Sequence, residues 1–321
     1  MPGLAASRVR RAETRIVIRD RIRLGIDLGG TKIELIALDA NGVELLRRRV
    51  RSPRDDYAAT LDAIAAIVRD AETTLGVGRD AASVGIGTPG SVSRATGLLR
   101  GSNSVWLNAK PIARDLEAKL ARPIAIANDA NCFALSEATD GAARGANVVF
   151  GVILGTGVGA GIVVNGRAIE GANRVAGEWG HNPLPWPADD EWPGPSCWCG
   201  LRGCIETFLS GPAMERGHRA ATGVALAAGA IAQRASSGDS DCDATLARYE
   251  ERLARALAQV INVLDPDVIV LGGGLSNVAR LYERVPRLWS RWVFSDRVDT
   301  RLLPPLHGDS SGVRGAAWLA A

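Results

Sequence analysis

The sequence predicts an α/β fold made of two related halves, on three observations. A strand, a glycine turn, a strand, an Asn-Gly turn and a strand follow one another in RLGIDLGGTKIELIALDANGVEL from Arg23, and the same order returns in VVFGVILGTGVGAGIVVNGRAI from Val148. Between and after these runs lie segments with apolar residues at helical spacing. The length of 321 residues favours two domains, with one large domain as the alternative, and an apolar content of 46% is ample for the cores.

In chain order, the alternating runs from Arg23 give the first strands, with Asn41-Gly42 turning the second into the third. Tyr57 to Gly76 reads as a helix that stops at its glycine. ASVGIGTPGSV, from Ala82, is a strand running into a Gly-Pro loop. PIARDLEAKL is a short helix opened by Pro111. Ile124 to Ala127 form a short strand, and Asn128 and Asp129 lead from it into a helix. After the repeated strand pattern comes a proline-broken loop, GEWGHNPLPWPADDEWPGPSCWCGLRGCIE, from Gly177 to Glu206. Ala-rich helices fill most of Ala225 to Leu264. DPDVIVLGGGLSN is a strand ending in glycines before another helix, and HGDSSGVRGAAWLAA closes the chain as a helix.

Charge and composition exclude several classes of function. Six arginines against Glu13 and Asp20 give residues 1–22 a charge of +4, which leaves −1 for the rest of a chain whose total is +3. A near-neutral body argues against nucleic acid as a partner. The basic tail reads as a disordered extension, and without an apolar segment it is not a secretory signal. Gly145 to Gly166 is a run of 22 uncharged residues, long enough for a membrane helix, but its seven glycines and β-branched residues fit two strands about a turn instead. The chain is therefore expected in the cytoplasm, with no membrane partner.

Two glycine turns carry the first chemistry: Asp27-Leu28-Gly29-Gly30-Thr31-Lys32 and Gly155-Thr156-Gly157-Val158-Gly159. Without a Cβ, backbone N–H groups approach an anion closely. The threonines add hydroxyl donors and Lys32 a positive charge. Each turn leads into a strand, which excludes the Walker loop and the dinucleotide fingerprint, since both open a helix. Ordinary hairpin turns remain the alternative. A third glycine run, Gly272-Gly273-Gly274, strengthens nucleotide binding, and Asp27 is placed to hold Mg²⁺ through water.

The loop from Gly177 holds three of the five cysteines and one of the three histidines. Cys197, Cys199 and Cys204 form C-x-C-x₄-C, and three thiolates this close can reach one tetrahedral ion in a closed, structural site. His181 is the nearest candidate for a fourth ligand. Free or redox thiols are the alternative. Cys132 and Cys242 read as ordinary thiols, and His218 and His307 as structural.

The motifs DLGGTKIE, GIGTPGSV, NDAN, ILGTGVGAGIVVNG, GEWGH, CWCGLRGCIE and IVLGGG together resemble the ROK family (repressors, open reading frames, sugar kinases) of the actin-like ATPase superfamily, from about Leu24 to the C-terminus. The resemblance implies a duplicated, ribonuclease H-like two-domain fold with an interdomain cleft. Residues 23–139 with the closing helix 308–321 would form a smaller domain, and 140–307 a larger one carrying the zinc loop 177–206. In RDDYAAT, NSVWLN, GEWGHNPLPW, DPDVIVLGGGLSNV and HGDSSGVRGAAW the chain looks most like bacterial fructokinases that also accept mannose.

Site roles follow from that resemblance. Asp129 matches the catalytic aspartate of NDAN, although by position alone it could be a helix N-cap. Asn128 and Asn103 look like sugar ligands, otherwise turn residues. The family's His and three Cys bind zinc, which carries that role to His181, Cys197, Cys199 and Cys204. Glu178, His181 and Glu206 match sugar contacts, the two glutamates being otherwise solvent-facing carboxylates. With zinc on one imidazole nitrogen, the other is a fixed donor for a sugar hydroxyl. The glycines 272–274 would meet adenosine.

Three functions compete: an ATP-dependent hexose kinase, a sugar-sensing repressor, and an inactive sugar-binding relative. About 22 residues precede the first strand, too few for a helix-turn-helix module, and the base, the glycine turns and Lys32 are all present. The expected activity is a fructokinase using MgATP and acting on C6, with mannose second and glucokinase or N-acetylglucosamine kinase as the alternative. A homodimer is expected from the resemblance.

Overall fold

The computed structural model describes residues 22–320. The basic tail expected at 1–22 lies outside them, except for Ile22, which opens the first strand. The first half runs β1 (Ile22–Leu28), β2 (Lys32–Leu38), β3 (Glu44–Arg51), α1 (Tyr57–Leu75), β4 (Ala82–Thr88), the short β5 (Ser91–Val92) and β6 (Leu99–Arg100), α2 (Ile112–Leu120), β7 (Ala125–Asn128) and α3 (Asp129–Thr139). The second runs β8 (Val148–Leu154), β9 (Val158–Val164), β10 (Arg167–Ala168), α4 (Glu206–Leu209), α5 (Gly211–Thr222), α6 (Ala228–Ser236), α7 (Ser240–Leu264), β11 (Val268–Gly272), α8 (Leu281–Trp289), β12 (Arg301–Leu303) and α9 (Ser311–Leu319).

Each half holds one five-stranded sheet, in the orders β3-β2-β1-β4-β7 and β10-β9-β8-β11-β12. In both, the opening hairpin strands are antiparallel and the next two join in parallel. The repeated sequence pattern is therefore a repeated topology. Both faces of the sheets are covered, so central strands are apolar on both sides. Leu24, Ile26, Leu35 and Val84 pack with Leu61, Ile64 and Val68 of α1 and Leu116 of α2. On the other face, Ile36 and Leu38 pack with Val313 and Ala317 of α9. In the second half, α3 covers one face through Phe133 and Ala134, and α7 and α8 cover the other through Leu253, Leu257 and Leu281.

Helices α3 and α9 lie against each other between the two sheets. Gly315 makes that approach possible, because a Cβ there would collide with the backbone of Cys132. Gly25 and Gly85 let α9 sit equally close to β1 and β4. Local signals set the element ends. Asp56 caps α1 by accepting from the Ala59 N–H, and Gly76 ends it in the left-handed region at φ 66°.

Some expectations are corrected. The third strand of the second half, β10, has two residues, because the chain leaves the sheet to form the loops that line the cleft. The glycines after β11 lead into a four-residue 3₁₀ turn, Gly274–Asn277, before α8. Helix α5 is an addition to the expected elements, although Ser210 caps it on the Ala213 N–H and Pro212 sits in its first turn. No helix among the described residues is long and apolar enough to cross a membrane. The arrangement is the duplicated actin-like fold.

Candidate active site

A cavity between the halves is lined by Thr88, Asn128 and Asn131 from one side and by Ala160, Arg174 and Glu178 from the other. Thr88 and Asn128 end β4 and β7, where α/β crevices form beyond the carboxyl ends of parallel strands. Asp129 follows as the first residue of α3. Water reaches its side chain, yet protein surrounds it closely enough that burial, with the nearby charges of Asp27 and Glu178, pushes its carboxyl up to about 6. The Ala130 N–H, donating to Oδ1 at 2.8 Å, opposes part of that rise. The helix cap is Asn128, whose Oδ1 accepts from the same N–H at 2.9 Å. Its Nδ2 donates to Gly90 O at 3.3 Å, so the amide is oriented before any ligand arrives.

Asn103 is exposed in a loop braced by a reciprocal pair, Ser102 N–H to Asn108 Oδ1 and Asn108 Nδ2 to Ser102 O, each 2.9 Å. That loop abuts the first glycine turn, since a Cβ on Gly30 would lie 3.1 Å from Ser104 Oγ. The turn is closed by the Gly29 N–H donating to Lys32 O at 3.0 Å, with Thr31 exposed at its tip. Asp27 precedes it, its carboxyl raised by burial and by Glu34 and held down by Lys32. The ammonium of Lys32 sits 3.0 Å from Glu34, which also holds Arg47 and Arg49 at 2.8 and 2.9 Å. The charge read from the sequence as free for phosphate is thus partly committed to a buried glutamate that sequence reasoning missed.

In the second half, Thr156 is exposed and the Gly211 N–H donates to Gly155 O at 2.8 Å, seating the turn on α5. Gly159 lies over Ala130 of α3. Gly272 is packed on the Phe133 ring, and Gly273, at φ 77°, lies against the Leu154 backbone, so the third glycine run borders the second turn and leaves Gly274 exposed.

His181, Cys197, Cys199 and Cys204 bring their ligand atoms within 4.8 Å of one another. Cys197 Sγ is 3.6 Å from His181 Nδ1, and Cys199 Sγ is 3.6 Å from Cys204 Sγ. A tetrahedron of about 2.3 Å zinc–thiolate bonds has edges of ~3.8 Å, so the donor set fits that ion. Nδ1 is the nitrogen facing the thiols, which leaves Nε2 for other partners. The proline-rich excursion folds back and is tied to α7 by Glu191, whose carboxylate meets Arg252 at 2.7 Å and Arg255 at 2.8 Å. Glu178 lines the cavity directly. Asn103, Asp129, His181 and Glu206 are not among its lining residues, although Asn128 and Asn131, on either side of Asp129 in the chain, are. Glu206 instead accepts from the Val158 N–H at 2.9 Å and from the Trp198 indole N–H at 2.7 Å, joining the second glycine turn to the cysteine loop. Trp198 also meets the His181 ring edge to face at 4.9 Å. Nothing in the sequence flagged Trp198 or Glu191. The two histidines read as structural bond within the scaffold, His218 to Thr245 and His307 to Asp140.

Comparison with known proteins identifies the family of the chain. The ROK family model matches residues 23–321. The chain is 40% identical over 299 residues to an N-acetyl-D-glucosamine kinase of Photobacterium profundum, covering 92% of this chain and 98% of that protein. A ROK hexokinase from Thermus thermophilus superimposes with a TM-score of 0.82 at 30% identity, over 93% of this chain and 97% of that one. A ROK glucokinase from Streptomyces griseus, solved with glucose and AMPPNP, gives a TM-score of 0.75 at 28% identity, over 93% and 99% of the two chains.

These findings overturn the expected fructokinase. Relatives 38–41% identical over 92% of the chain are N-acetyl-D-glucosamine kinases. Part of the sequence that suggested fructose serves packing. Leu184 of GEWGHNPLPW is core, DVIVLG is the buried β11, and GVRGAAW is α9. Agreement across nearly the whole of each relative leaves one assignment: the chain belongs to the ROK family and is a sugar kinase.

Proposed function

We propose that the chain transfers the γ-phosphoryl group of ATP to the C6 hydroxyl of N-acetylglucosamine. The observation that carries the amino sugar is the shared description of its relatives at 38–41% identity. In this reading Asp129 takes the hydroxyl proton as the oxygen attacks phosphorus in line, and a carboxyl at about 6 remains mostly ionised at neutral pH while being a stronger base than a free aspartate. Asn103, Asn128, Glu178, the free nitrogen of His181 and, through a rearranged contact, Glu206 orient the hexose. The N–H groups and hydroxyls of Gly29, Gly30, Thr31, Gly155, Thr156, Gly157 and Gly159 hold the phosphates, with Lys32 beside them and Gly272 to Gly274 at the adenosine.

Asp27 would hold Mg²⁺ through water, since a single half-buried carboxylate whose charge is disfavoured by burial suits a solvated divalent ion. Bound Mg²⁺ supplies positive charge against the transferring group. Zinc held by His181, Cys197, Cys199 and Cys204 braces the loop that carries Glu178 and Glu206. Residues 23–139 with 308–321, and 140–307, act as two bodies that close on the sugar. By family resemblance the chain works as a homodimer.

The test is a coupled ADP-release assay over N-acetylglucosamine, glucose, mannose and fructose. N-acetylglucosamine should give the highest kcat/KM by about tenfold or more, which corresponds to ~1.4 kcal/mol of transition-state discrimination. Equal or faster turnover of glucose or mannose would reject the amino-sugar reading.

A further inference from the structure

We propose that Glu206 is an internal anion that occupies the second glycine turn until sugar draws it away, with Trp198 as the positioning residue that holds it there. The inference goes beyond the reading above and rests on one part of it, that Gly155 to Gly159 hold nucleotide phosphate. One carboxylate oxygen of Glu206, Oε2, accepts from the Val158 N–H at 2.9 Å. The other, Oε1, accepts from the Trp198 indole N–H at 2.7 Å. A Cβ built on Gly157 would lie 2.7 Å from Oε2, so the carboxylate fills space that a side chain at 157 would take. Glycine in such a turn lets an anion approach the backbone closely. Here the anion already in place is the protein's own.

The turn side of this contact is fixed. The Gly155 N–H donates to Gly157 O at 3.0 Å, and the Gly211 N–H of α5 donates to Gly155 O at 2.8 Å. Val158 opens β9 and is buried. The glutamate side is freer. Glu206 is the first residue of the four-residue α4, where the cysteine loop ends, and it is half-buried. Trp198 is 71% exposed, and its ring meets the His181 ring edge to face at 4.9 Å. The Glu206 side chain and its indole partner are therefore the parts that can yield.

A phosphate brought against Gly157 and Val158 meets a carboxylate there, and like charges a few ångströms apart repel. A hexose hydroxyl offered to Glu206 draws that carboxylate toward the sugar and away from the Val158 N–H. The freed N–H and the space over Gly157 then serve phosphate. Sugar thus prepares the nucleotide site, and by linkage nucleotide tightens sugar to the same degree. ATP is held poorly on the turn while no acceptor alcohol is present, which limits transfer to water.

The test is calorimetric binding of a non-hydrolysable ATP analogue with Mg²⁺ to the full chain, and thermal melting checks that each variant folds. For the unmodified protein, saturating N-acetylglucosamine should tighten the analogue about fivefold or more. Glu206→Gln removes the charge and, with one oxygen in place of two, cannot accept from Val158 and Trp198 together. Measured without sugar, this variant should bind the analogue about fivefold or more tighter than the unmodified protein, a gain that structural damage does not produce. Trp198→Phe keeps an aromatic ring beside His181 but loses the indole N–H, and should move sugar-free affinity the same way by about twofold. Thr156→Val removes a hydroxyl of the turn and should weaken the analogue. If Thr156→Val weakens binding but neither Glu206→Gln nor Trp198→Phe tightens it, the latch is wrong and the phosphate turn stands. An affinity unchanged by all three variants removes the turn reading on which the latch rests.

Discussion

Asp129 combines a helix-start position with surrounding protein and the nearby charges of Asp27 and Glu178, which together raise its carboxyl to about 6. As the base it must be ionised, so kcat/KM should fall as pH drops through about 6, tenfold per unit below it, and level off above. A profile flat down to pH 5 would remove Asp129 from that role. Asp129→Asn should lower kcat by ~10²- to 10⁴-fold while calorimetry shows sugar affinity retained. At this scale the sequence was half readable. Asp129 and Asn128 could be found because the motif NDAN names them in adjacent positions. Arg174 and Glu34 could not, because their significance lies in what faces them across the fold: Val92 for Arg174, and Lys32, Arg47 and Arg49 for Glu34.

Elements decide how the side chains are held. The cysteine loop is held at three places: at the cluster of His181, Cys197, Cys199 and Cys204, at Glu191 against Arg252 and Arg255 of α7, and at Glu206 between Val158 and Trp198. Removing the metal by chelation, or Cys199→Ser, should loosen the first anchor while the other two hold. The expected result is a KM for sugar raised about tenfold with KM for ATP within about twofold. An unchanged sugar KM in protein verified as metal-free would show that the loop needs no ion. The α3–α9 crossing depends on a missing side chain at Gly315. Gly315→Leu should cost ~1–3 kcal/mol or more and lower the melting temperature by at least ~2 °C. A melt within a degree of the unmodified protein would mean the helices part without penalty. Glycine turns and paired strands were legible because alternation and Asn-Gly chemistry are local. The length of β10 and the 3₁₀ turn after β11 are set by packing, so local pattern did not give them, whereas α5 had its local signals in Ser210, Pro212 and Gly223 and was passed over.

At the scale of the molecule, two copies of one sheet topology face each other, and the chain crosses between them through α3 and again before α9. The sequence repeat at Arg23 and Val148 foretold that duplication. The choice of sugar was misread: part of the sequence used to judge it packs, as at Leu184, β11 and α9, and the rest carries Asn103, Glu178 and His181, residue types that suit any hexose. If the halves close on their ligands, small-angle scattering should give a smaller radius of gyration with N-acetylglucosamine and a non-hydrolysable ATP analogue together than with neither, and identical curves would argue for a rigid cleft. The most direct test is a crystal structure of that ternary complex. The account predicts the sugar between the halves with its C6 oxygen within ~2.6–3.2 Å of an Asp129 carboxylate oxygen and in line with the γ-phosphorus. A sugar bound elsewhere, or an Asp129 side chain turned away from that hydroxyl, would contradict it.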